Sequence, residues 1–294
     1  MTAHPDTPGA PPAISIVLPV YNGESFLPVA IESCQAQTLK SWELIVVDDA
    51  STDRTAAIIR TYAAGDERIR CIRHQENRML AASLNTGFGS AQGIYLTWTS
   101  DDNWYEPTAL QEMKQALDLH PGAGLVYAGM HIEREPHGRQ DRSRLLSAER
   151  LPLQNVVGAC FLYRRTILDS VGMYDPLLPG AEDYDYWLRA RRQAAFKPLR
   201  RWLYHYRLHE HSLTSTRRDT VLRSSLTALE RNFGASCAAP ARALAALHAA
   251  RLADQLGDPA AARRHLDHCK TLSQWVYLRH AVLGPFIHRM RKLR

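Results

Sequence analysis

Short strand-like runs alternate with helix-like segments through the first half of the chain. The runs Ile14–Val20 and Leu44–Val47 are rich in Ile, Val and Leu, and polar turn or capping residues follow both of them. After each run, apolar residues recur every three or four positions, which is the periodicity of a helix that buries one face. Strands that alternate with helices in this way form a mostly parallel sheet with helices on both faces. The sequence therefore predicts an α/β fold.

The rest of the chain extends this pattern and then departs from it. Arg68–Arg73 is predicted as a third strand, and Pro107 suits the first position of a later helix. The highly charged segment 134–150 is predicted to be a mobile loop or an irregular connection. From about Thr216 the composition shifts to Ala, Leu, Arg and His without strand signals, which predicts a C-terminal helical appendage over 216–294.

Composition narrows the class of protein. With 294 residues, 45% of them hydrophobic, the chain can bury a full core, and no apolar run approaches the roughly 20 residues that cross a bilayer. Met1–Pro12 lacks the apolar centre of a signal peptide, so residues 1–13 are predicted to be a disordered leader. The five cysteines are scattered and odd in number, which suits reduced thiols in a cytosolic protein. The net charge of +6 favours anionic partners such as nucleotides, membrane surfaces or nucleic acid.

Two adjacent carboxyl groups, those of Asp101 and Asp102, closely follow the apolar run Ile94–Leu96. Ligands of open α/β sheets bind at the carboxyl ends of the strands, where the strand order reverses. Two acids at such a place repel each other and lose hydration, so they need a cation or several hydrogen-bond donors nearby. Mg²⁺ meets this need because it accepts one or two carboxylates together with substrate phosphates. The alternative is a solvated turn or a helix cap, which Asp and Asn also favour.

Four motifs occur in an order and at separations that resemble those of one enzyme family. They are Pro19–Asn22, Val46–Asp53, Thr99–Asn103 and Glu182–Trp187. Together they resemble the family 2 glycosyltransferases, which are nucleotide-sugar enzymes with the GT-A fold, and bacterial spore-coat polysaccharide glycosyltransferases are near relatives in pattern. The resemblance implies a GT-A domain over residues 14–215, with a Rossmann-like sheet, followed by the helical region.

The resemblance implies a nucleotide site at the first two motifs. Tyr21 would pack on the nucleobase and Asp49 would accept a base N–H, with Pro19 beside them. Tyr offers a flat apolar face for a base, and a carboxylate that accepts from an imide N–H favours uracil or thymine over cytosine. The alternative makes Tyr21 a turn aromatic and Asp49 a helix cap.

The phosphate, ribose and metal sites are implied in the same way. Arg78 resembles a family arginine near the nucleotide and would pair with its phosphates, with Arg68 and Arg73 as competitors. Asp101 would contact the ribose. Asp102 would hold Mn²⁺ or Mg²⁺ against the diphosphate, where a cation stabilises the charge of the leaving group.

Asp183 is the residue that the resemblance makes the general base, which removes the proton of the acceptor hydroxyl. The like charges of Glu182 and Asp185 are expected to raise its pKa toward neutrality, as a base requires. A helix N-terminus enriched in acids is the structural alternative, and the two roles are compatible. Residues 179–181 are expected to be flexible enough to carry Asp183 toward the acceptor. His209 matches a family histidine that reaches the metal or the diphosphate, although a chain with 13 histidines also uses them in solvated or structural roles.

These residues predict an inverting, metal-dependent glycosyltransferase. It would move a sugar from a nucleotide-sugar donor, preferentially UDP-linked, to a hydroxyl of a saccharide or lipid-linked acceptor, in cell-surface polysaccharide or glycolipid synthesis. Two alternatives are a non-catalytic nucleotide-sugar-binding module and a nucleotidyltransferase, although the latter would normally show a glycine-rich phosphate loop early in the chain.

The C-terminal tail, residues 275–294, mixes aromatic, aliphatic and basic residues. It would either lie in a membrane interface or pack as a helix on the catalytic domain. We expect a cytoplasmic protein, peripheral at the inner face of the membrane if the tail binds lipid, and no nucleic-acid partner.

Overall fold

The strand–helix alternation predicted for the first half of the chain is present in the structure. A computed structural model describes residues 11–134, 139–210 and 216–279. Its strands are β1 Ile14–Val20, β2 Trp42–Asp48, β3 Ile69–Arg73, β4 Tyr95–Trp98, β5 Trp104–Tyr105, β6 Ala123–Arg134, β7 Arg139–Arg142, β8 Phe161–Arg164 and β9 Ala195–Leu208. Its helices are α1 Leu27–Gln35, α2 Thr55–Gly65, α3 Met79–Ser90, α4 Ala109–Leu119, α5 Arg165–Val171, α6 Glu182–Ala190, α7 Arg218–Asn232, α8 Ala239–Gln255, α9 Pro259–Leu272 and α10 Gln274–Tyr277, with a 3-10 helix over Ala148–Leu153.

Four parallel strands form the half of the sheet that carries most of the predicted motifs. β1 pairs with β2 on one side and with β4 on the other, and β3 pairs with β2. The chain therefore builds outward from β1 through β2 to β3 and then returns to the opposite side of β1 for β4, so the strand order reverses beside β1. Open α/β sheets bind their ligands at such a reversal, beyond the carboxyl ends of the strands.

The other half of the sheet is mixed. β8 pairs antiparallel with β4 and β6, β5 pairs antiparallel with β9, and β6 pairs parallel with β9. Over the described residues the order is β3-β2-β1-β4-β8-β6-β9-β5, and β7 pairs with β6. The predicted α/β class is confirmed, while the expected parallel character is concentrated in β3, β2, β1 and β4.

β1 and β2 are buried along their whole length and are apolar except for Ser15, Glu43 and Asp48. Every residue of Ile14–Val20 and of Trp42–Asp48 is buried, as is usual for central strands of a parallel sheet. Leu27 and Ile31 of α1 and Leu110 of α4 belong to the same core cluster. Burying one such side chain contributes roughly 1.5–3 kcal/mol to stability, so this cluster holds the carboxyl edge of β1 and β2 in place.

The segment predicted to be a mobile loop or irregular connection over 134–150 contains regular structure. β6 extends to Arg134 and pairs antiparallel with β7, so that Glu133 lies opposite Gln140. Gln140 Nε2 donates to Glu133 Oε1 over 2.7 Å, and Arg134 and Asp141 form an ion pair of 3.3 Å. The prediction is wrong for Arg139–Arg142, because these polar and charged side chains pair across neighbouring strands, which stabilises a ribbon; residues 143–147 form no regular element.

The described residues fall into two compact units. The sheet unit consists of the described residues of Met1–Ala148, Val157–Pro176 and Ala190–Ser212, and the helical unit of those of Glu149–Val156, Leu177–Arg189 and Leu213–Arg294. All nine described strands lie in the sheet unit, whereas α7 to α10 and nearly all of α6 lie in the helical unit.

The helical unit has an apolar core of its own. Leu153 packs there with Leu247 of α8, Cys269 of α9 and Val276 of α10. Helices α7 to α10 lie in the region predicted to be helical, and the predicted domain boundaries, 14–215 and 216–294, stay predictions. Among the helices of the described chain, none is both long and apolar enough to cross a membrane.

The two chain ends bear on two further predictions. Residues 1–10 and 280–294 lie outside the described residues, so the disordered leader and the membrane contact of the tail stay predictions. At the start of the tail, Trp275 is 63% exposed, whereas Val276 is buried in the core of the helical unit.

Candidate active site

The first predicted motifs leave the sheet at one edge. Asp49 N donates to Val20 O over 2.9 Å, and Thr99 N donates to Val17 O over 3.0 Å, so the loops after β1, β2 and β4 begin side by side. Pro19 is buried in β1 opposite Val47 of β2. This edge is where the reversal of strand order places a ligand.

Side-chain hydrogen bonds tie the loop after β1 to the loop after β2. Asn22 N donates to Ser51 Oγ over 3.0 Å, and Asn22 Oδ1 accepts from Thr52 N over 2.8 Å. Gly23 N donates to Thr55 Oγ1 over 2.9 Å. Asn22 has a φ of +54°, a left-handed conformation that Asn tolerates better than most residues. Tyr21 stands at the start of this loop with half of its surface exposed, which leaves a ring face available for stacking.

Asp49 is 4% exposed and is held by three hydrogen bonds. Its Oδ1 accepts from Arg78 N over 2.9 Å and lies 2.6 Å from His74 Nδ1, and its Oδ2 accepts from Met79 N over 2.8 Å. A carboxylate offers about four acceptor positions. The bonds formed by the described residues therefore leave one position, on Oδ2, for a ligand.

Arg78 is placed at this edge through its backbone, while its side chain is exposed. The two competing arginines have acidic partners: Arg68 pairs with Asp66 at 2.7 Å, and Arg73 pairs with Asp48 at 3.4 Å. Arg78 therefore stays the predicted phosphate ligand.

Asp101 lies against the loop after β1. A Cβ atom at Gly23 would collide with Asp101 Oδ2 and Val20 Cγ2, so a larger residue there would displace these side chains. Burial, together with the charge of Asp102, raises the pKa of Asp101 to about 7. Two negative charges at this place are therefore unfavourable, and a bound cation would compensate for them.

Asp102 and His209 come together at the ends of two segments. His209 Nε2 lies 3.1 Å from Asp102 Oδ2. Asp102 Oδ1 is buried and has no hydrogen-bond partner within residues 11–134, 139–210 and 216–279. A buried carboxylate oxygen without a donor is energetically costly unless a ligand completes it. One carboxylate and one imidazole beside such an oxygen fit a divalent metal ion.

Arg207 fixes this arrangement from the end of β9. Its backbone N donates to Asn103 Oδ1 over 2.8 Å, and its Nε donates to Asp102 O over 3.1 Å. The guanidinium lies 4.5 Å from the centre of the Phe26 ring, and the Phe26 ring lies 5.2 Å from that of His209. Arg207 therefore links the Asp102 loop to the segment that carries His209.

The second acidic pair lies in the helical unit, at the start of α6. Asp183 Oδ2 accepts from Asn155 Nδ2 over 2.8 Å, and Asp183 Oδ1 accepts from Tyr184 N over 2.6 Å. Burial raises the pKa of Asp183 to about 6. The expected direction of the shift is found, but its cause is desolvation and not the like charge of neighbouring acids.

The neighbours of Asp183 are held in other ways. Asp185 pairs with Arg189 at 2.8 Å and accepts from Asn232 Nδ2 over 2.8 Å, so it links α6 to α7. Glu182 Oε2 accepts from Gly180 N over 2.6 Å, and burial together with the charge of Asp183 raises the pKa of Glu182 to about 7.

The turn before α6 is tightly packed. Gly180 has a φ of +78°, and a Cβ atom there would lie 2.6 Å from Val221 Cγ2 of α7. The expectation that residues 179–181 are flexible therefore finds no support in the packing of Gly180.

Comparison with known proteins identifies the chain. Residues 15–172, more than half of it, match the family described as Glycosyl transferase family 2. The chain belongs to this family. It is 31% identical over 216 residues to an uncharacterized glycosyltransferase of Rickettsia typhi, an alignment that covers 70% of this chain and 67% of that protein. The chain is a glycosyltransferase, so the predicted family is confirmed. The motifs Pro19–Asn22, Val46–Asp53 and Thr99–Asn103 lie within the matched residues, whereas Glu182–Trp187 lies beyond them.

Two solved structures share the fold of this glycosyltransferase. It is similar to S. aureus TarS 1–349 in complex with UDP-GlcNAc, with a TM-score of 0.70 and 18% identity over 95% of this chain and 87% of that one. It is also similar to the mannosyltransferase PcManGT from Pyrobaculum calidifontis in complex with GDP-Man and Mn²⁺, with a TM-score of 0.65 and 18% identity over 95% and 81% of the two chains. The likeness supports the predicted GT-A fold.

The structure of this glycosyltransferase distributes the predicted site residues over both units. The sheet unit holds the predicted nucleotide and metal residues, and contacts connect Asp49 with Arg78 and Asp102 with His209. The helical unit holds Asp183.

Sequence reasoning missed three residues that hold the predicted ones: His74, Asn155 and Arg207. His74 follows β3 as Asp49 follows β2, and neighbouring parallel strands end at one edge, so the same reasoning could have found it. Asn155 and Arg207 carry no comparable signal, because their contacts with Asp183 and with the Asp102 loop depend on the fold.

Proposed function

We propose that this glycosyltransferase is metal-dependent and inverting, and that it transfers a sugar from a UDP-linked donor to a hydroxyl acceptor. The observation that carries the proposal is the environment of the Asp101–Asp102 pair. One acid has a pKa raised to about 7, and the other has a buried oxygen without a hydrogen-bond partner among the described residues and lies 3.1 Å from His209. Such a pair is suited to a cation and a diphosphate.

The nucleobase would stack on the half-exposed ring of Tyr21 and donate an N–H to Asp49. The single acceptor position that remains on Asp49 Oδ2 suits the one imide N–H of uracil or thymine. Guanine presents two adjacent donors, and cytosine presents an acceptor at the corresponding position, so both fit this carboxylate less well. Pro19 would lie beside the base, Asp101 would contact the ribose, and Arg78 would pair with the phosphates.

Asp102 and His209 would hold the metal ion, Mn²⁺ or Mg²⁺. When bound, the ion would neutralise charge that builds on the leaving diphosphate. PcManGT, which is similar in fold, was solved with Mn²⁺. Arg207 keeps the Asp102 loop next to the segment that carries His209, so the protein supplies this pair before a donor arrives.

Asp183 would act as the general base. A pKa of about 6 leaves its carboxylate largely ionised at neutral pH and still basic enough to accept the acceptor's hydroxyl proton. The acceptor oxygen would form a bond to the anomeric carbon as the bond from that carbon to the diphosphate breaks. Attack from the face opposite the nucleotide inverts the configuration. Asn155 would hold the carboxylate of Asp183 in one orientation.

A saccharide or lipid-linked acceptor, in the synthesis of cell-surface polysaccharide or glycolipid, is consistent with this chemistry. The protein would work in the cytoplasm, and residues 275–294 would bring it to the inner face of the membrane. The exposed Trp275 and Leu278 support that part of the proposal. Membership of a glycosyltransferase family argues against a nucleotidyltransferase and a non-catalytic module.

Calorimetric titration with UDP, dTDP, GDP and CDP, each with Mn²⁺, Mg²⁺ or a chelator, tests the donor assignment. We expect UDP with a divalent ion to bind most tightly, and its affinity to fall by about tenfold or more with the chelator. Tyr21→Ala should also bind UDP more weakly, because stacking contributes ~1–3 kcal/mol per base. Tighter binding of GDP than of UDP, or equal binding with the chelator, would overturn the base assignment or the metal assignment respectively.

A further inference from the structure

A group of metal-ligating side chains lies in the sheet unit apart from the predicted catalytic metal residues. It consists of Glu106, His131 and His205, each of which offers one ligand atom within 4.8 Å of the others. Trp104 and Arg207 lie between this group and the Asp102–His209 pair along both chain segments. We propose that Glu106, His131 and His205 form a second site for a divalent transition-metal ion, with Zn²⁺ as the ion that fits best.

The sheet register brings the three residues together. His131 of β6 lies opposite His205 of β9, and His205 also lies opposite Trp104 of β5, which Glu106 follows at a distance of two residues. The ring centroids of His131 and His205 are 4.9 Å apart, and those of Trp104 and His205 are 4.7 Å apart with nearly parallel planes. Neighbouring strands therefore fix both imidazoles, and no loop closure is needed to assemble the group.

His205 is oriented as a metal ligand usually is. Its Nδ1 lies 2.7 Å from Glu133 Oε1, and its Nε2 lies 2.8 Å from Glu106 Oε1. A neutral imidazole carries only one N–H and so cannot donate to both carboxylates. If Nδ1 carries the proton and donates it in a hydrogen bond to Glu133, the lone pair of Nε2 faces Glu106. A cation bound by Nε2 and by Glu106 Oε1 would then satisfy both atoms. A carboxylate behind the second nitrogen of a histidine is the common outer support of a metal ligand.

His131 supplies an independent observation. Its Nδ1 is buried and lacks a hydrogen-bond partner within the part of the chain that the structure describes. A buried polar nitrogen of this kind is costly unless a ligand completes it. The neighbouring His205 ring lies in stacking contact and not in a hydrogen bond with it.

Two of the three residues, Glu106 and His205, also line an open groove at the surface. Glu106, His205 and Trp104 line a space of about 340 Å³ beside α1, together with Glu32 and Ser33. A metal site with three protein ligands keeps an open position for water or another small ligand, and a groove at that position gives access to it. Two imidazole nitrogens and one carboxylate favour Zn²⁺, Co²⁺ or Ni²⁺ over Mg²⁺, which prefers oxygen ligands.

Metal binding can be measured without any assay of sugar transfer. The full chain carrying Asp102→Ala, stripped of metal, would be titrated with Zn²⁺ by calorimetry and with Co²⁺ by absorption spectroscopy, so that the predicted catalytic site does not contribute. We expect one equivalent of Zn²⁺ to bind, and visible Co²⁺ bands from mixed nitrogen and oxygen ligation. Adding His131→Asn or His205→Asn should lower the Zn²⁺ affinity by about tenfold or more.

Two further variants separate a metal site from a purely structural stack of rings. Glu133→Gln keeps the shape of its side chain and should still lower the Zn²⁺ affinity, by about 10–100-fold, because it weakens the orientation of His205. His120→Asn, at an exposed histidine of the same unit, is the matched control and should bind Zn²⁺ as the parent does. Unchanged Zn²⁺ affinity in folded His131→Asn and Glu133→Gln proteins, or an equal loss in His120→Asn, would overturn the proposal.

Discussion

The two pairs of adjacent acids, Asp101–Asp102 and Glu182–Asp183, look alike in sequence and differ in their surroundings. In each pair the first acid has a pKa of about 7, which burial raises and the charge of the second acid raises further. The second acid of each pair has a different partner. Asp102 lies 3.1 Å from a histidine and has a buried oxygen without a partner among the described residues, whereas Asp183 accepts from the neutral amide of Asn155.

This difference shows how one sequence pattern supports two kinds of chemistry. An imidazole is a metal ligand and can share a cation with a carboxylate. The amide N–H of Asn155 donates to Asp183 and orients its carboxylate without neutralising it, which is the requirement for a base. We therefore expect the first pair to respond to metal ions and the second to respond to pH.

The largest expected effect is that of Asp183→Asn. The amide cannot accept a proton, so the turnover of sugar transfer should fall by about 10²–10⁴-fold, while UDP binding should stay near the value of the unmodified protein. Transfer to the acceptor and calorimetric UDP binding would be measured in parallel. Asp219→Asn, at an exposed acid in the first turn of α7, is the control and should leave both unchanged. An Asp183→Asn enzyme with normal turnover would assign the base elsewhere.

The next effect concerns the metal. Asp102→Ala should weaken UDP binding in the presence of Mn²⁺ by about 10–100-fold, since it removes a metal ligand, and should leave the weak binding seen with a chelator unchanged. Titration calorimetry with and without Mn²⁺ measures both. The control is Asp141→Ala, at an acid of the β6–β7 ribbon. Retention of the full Mn²⁺ effect in Asp102→Ala would mean that the first pair does not hold the ion.

Glu182→Gln should stabilise the protein at pH 8. The pKa of Glu182 is about 7 when folded against an ordinary 4.5, so its contribution to stability is full below pH 4.5 and is lost as the pH rises through 7. Glutamine does not ionise, so Glu182→Gln should raise the free energy of unfolding by about 1–3 kcal/mol at pH 8 and leave it unchanged at pH 4. Thermal unfolding at both pH values measures this. The exposed Glu230→Gln should show no such difference, and a destabilised Glu182→Gln at pH 8 would refute the assignment.

The smallest effect is a shift of a pH profile. The Asn155 hydrogen bond lowers the pKa of Asp183, so Asn155→Ala should raise that pKa further. Turnover falls as the pH drops through the pKa of the base, and in the variant this fall should begin about one pH unit higher. Asn232→Ala removes a donor to Asp185 instead and should leave the midpoint of the profile in place. Equal midpoints in all three proteins would show that Asn155 does not set the pKa of the base.

The sequence predicts the sheet best where burial is complete. β1 and β2 are covered on both faces, so the apolar runs Ile14–Val20 and Leu44–Val47 reveal both strands, although β2 extends from Trp42 to Asp48. β9, over Ala195–Leu208, was missed because Pro198 and the pair Arg200–Arg201 interrupt its apolar residues. The sequence predicts a loop over 134–150, which contains β7, because the cross-strand partners that satisfy these charges are defined only by the fold.

The candidate site shows the same contrast between what the sequence predicts and what only the fold defines. The acids, the tyrosine and His209 come from short contiguous motifs. Their hydrogen-bond partners lie elsewhere in the sequence: Asn155 is far from Asp183 along the chain, and Arg207 is far from Asp102. The sequence predicts that neighbouring charges raise the pKa of Asp183, whereas burial raises it. Burial depends on the fold and cannot be inferred from adjacent residues.

The hydrogen bonds between the loops after β1 and β2 have a consequence for the entropy of donor binding. Ordering a free loop opposes binding by roughly 1–2 kcal/mol per residue fixed. Asn22 and Thr52 are already bound through their backbone N–H groups to side chains of the other loop, and Gly23 N is bound to the side chain of Thr55, the first residue of α2. Their amide hydrogens should therefore exchange slowly in the free protein and change little when UDP binds. The nucleobase would then enter a preorganised cleft, and the loss of conformational entropy on ordering the loops would weaken its binding only slightly.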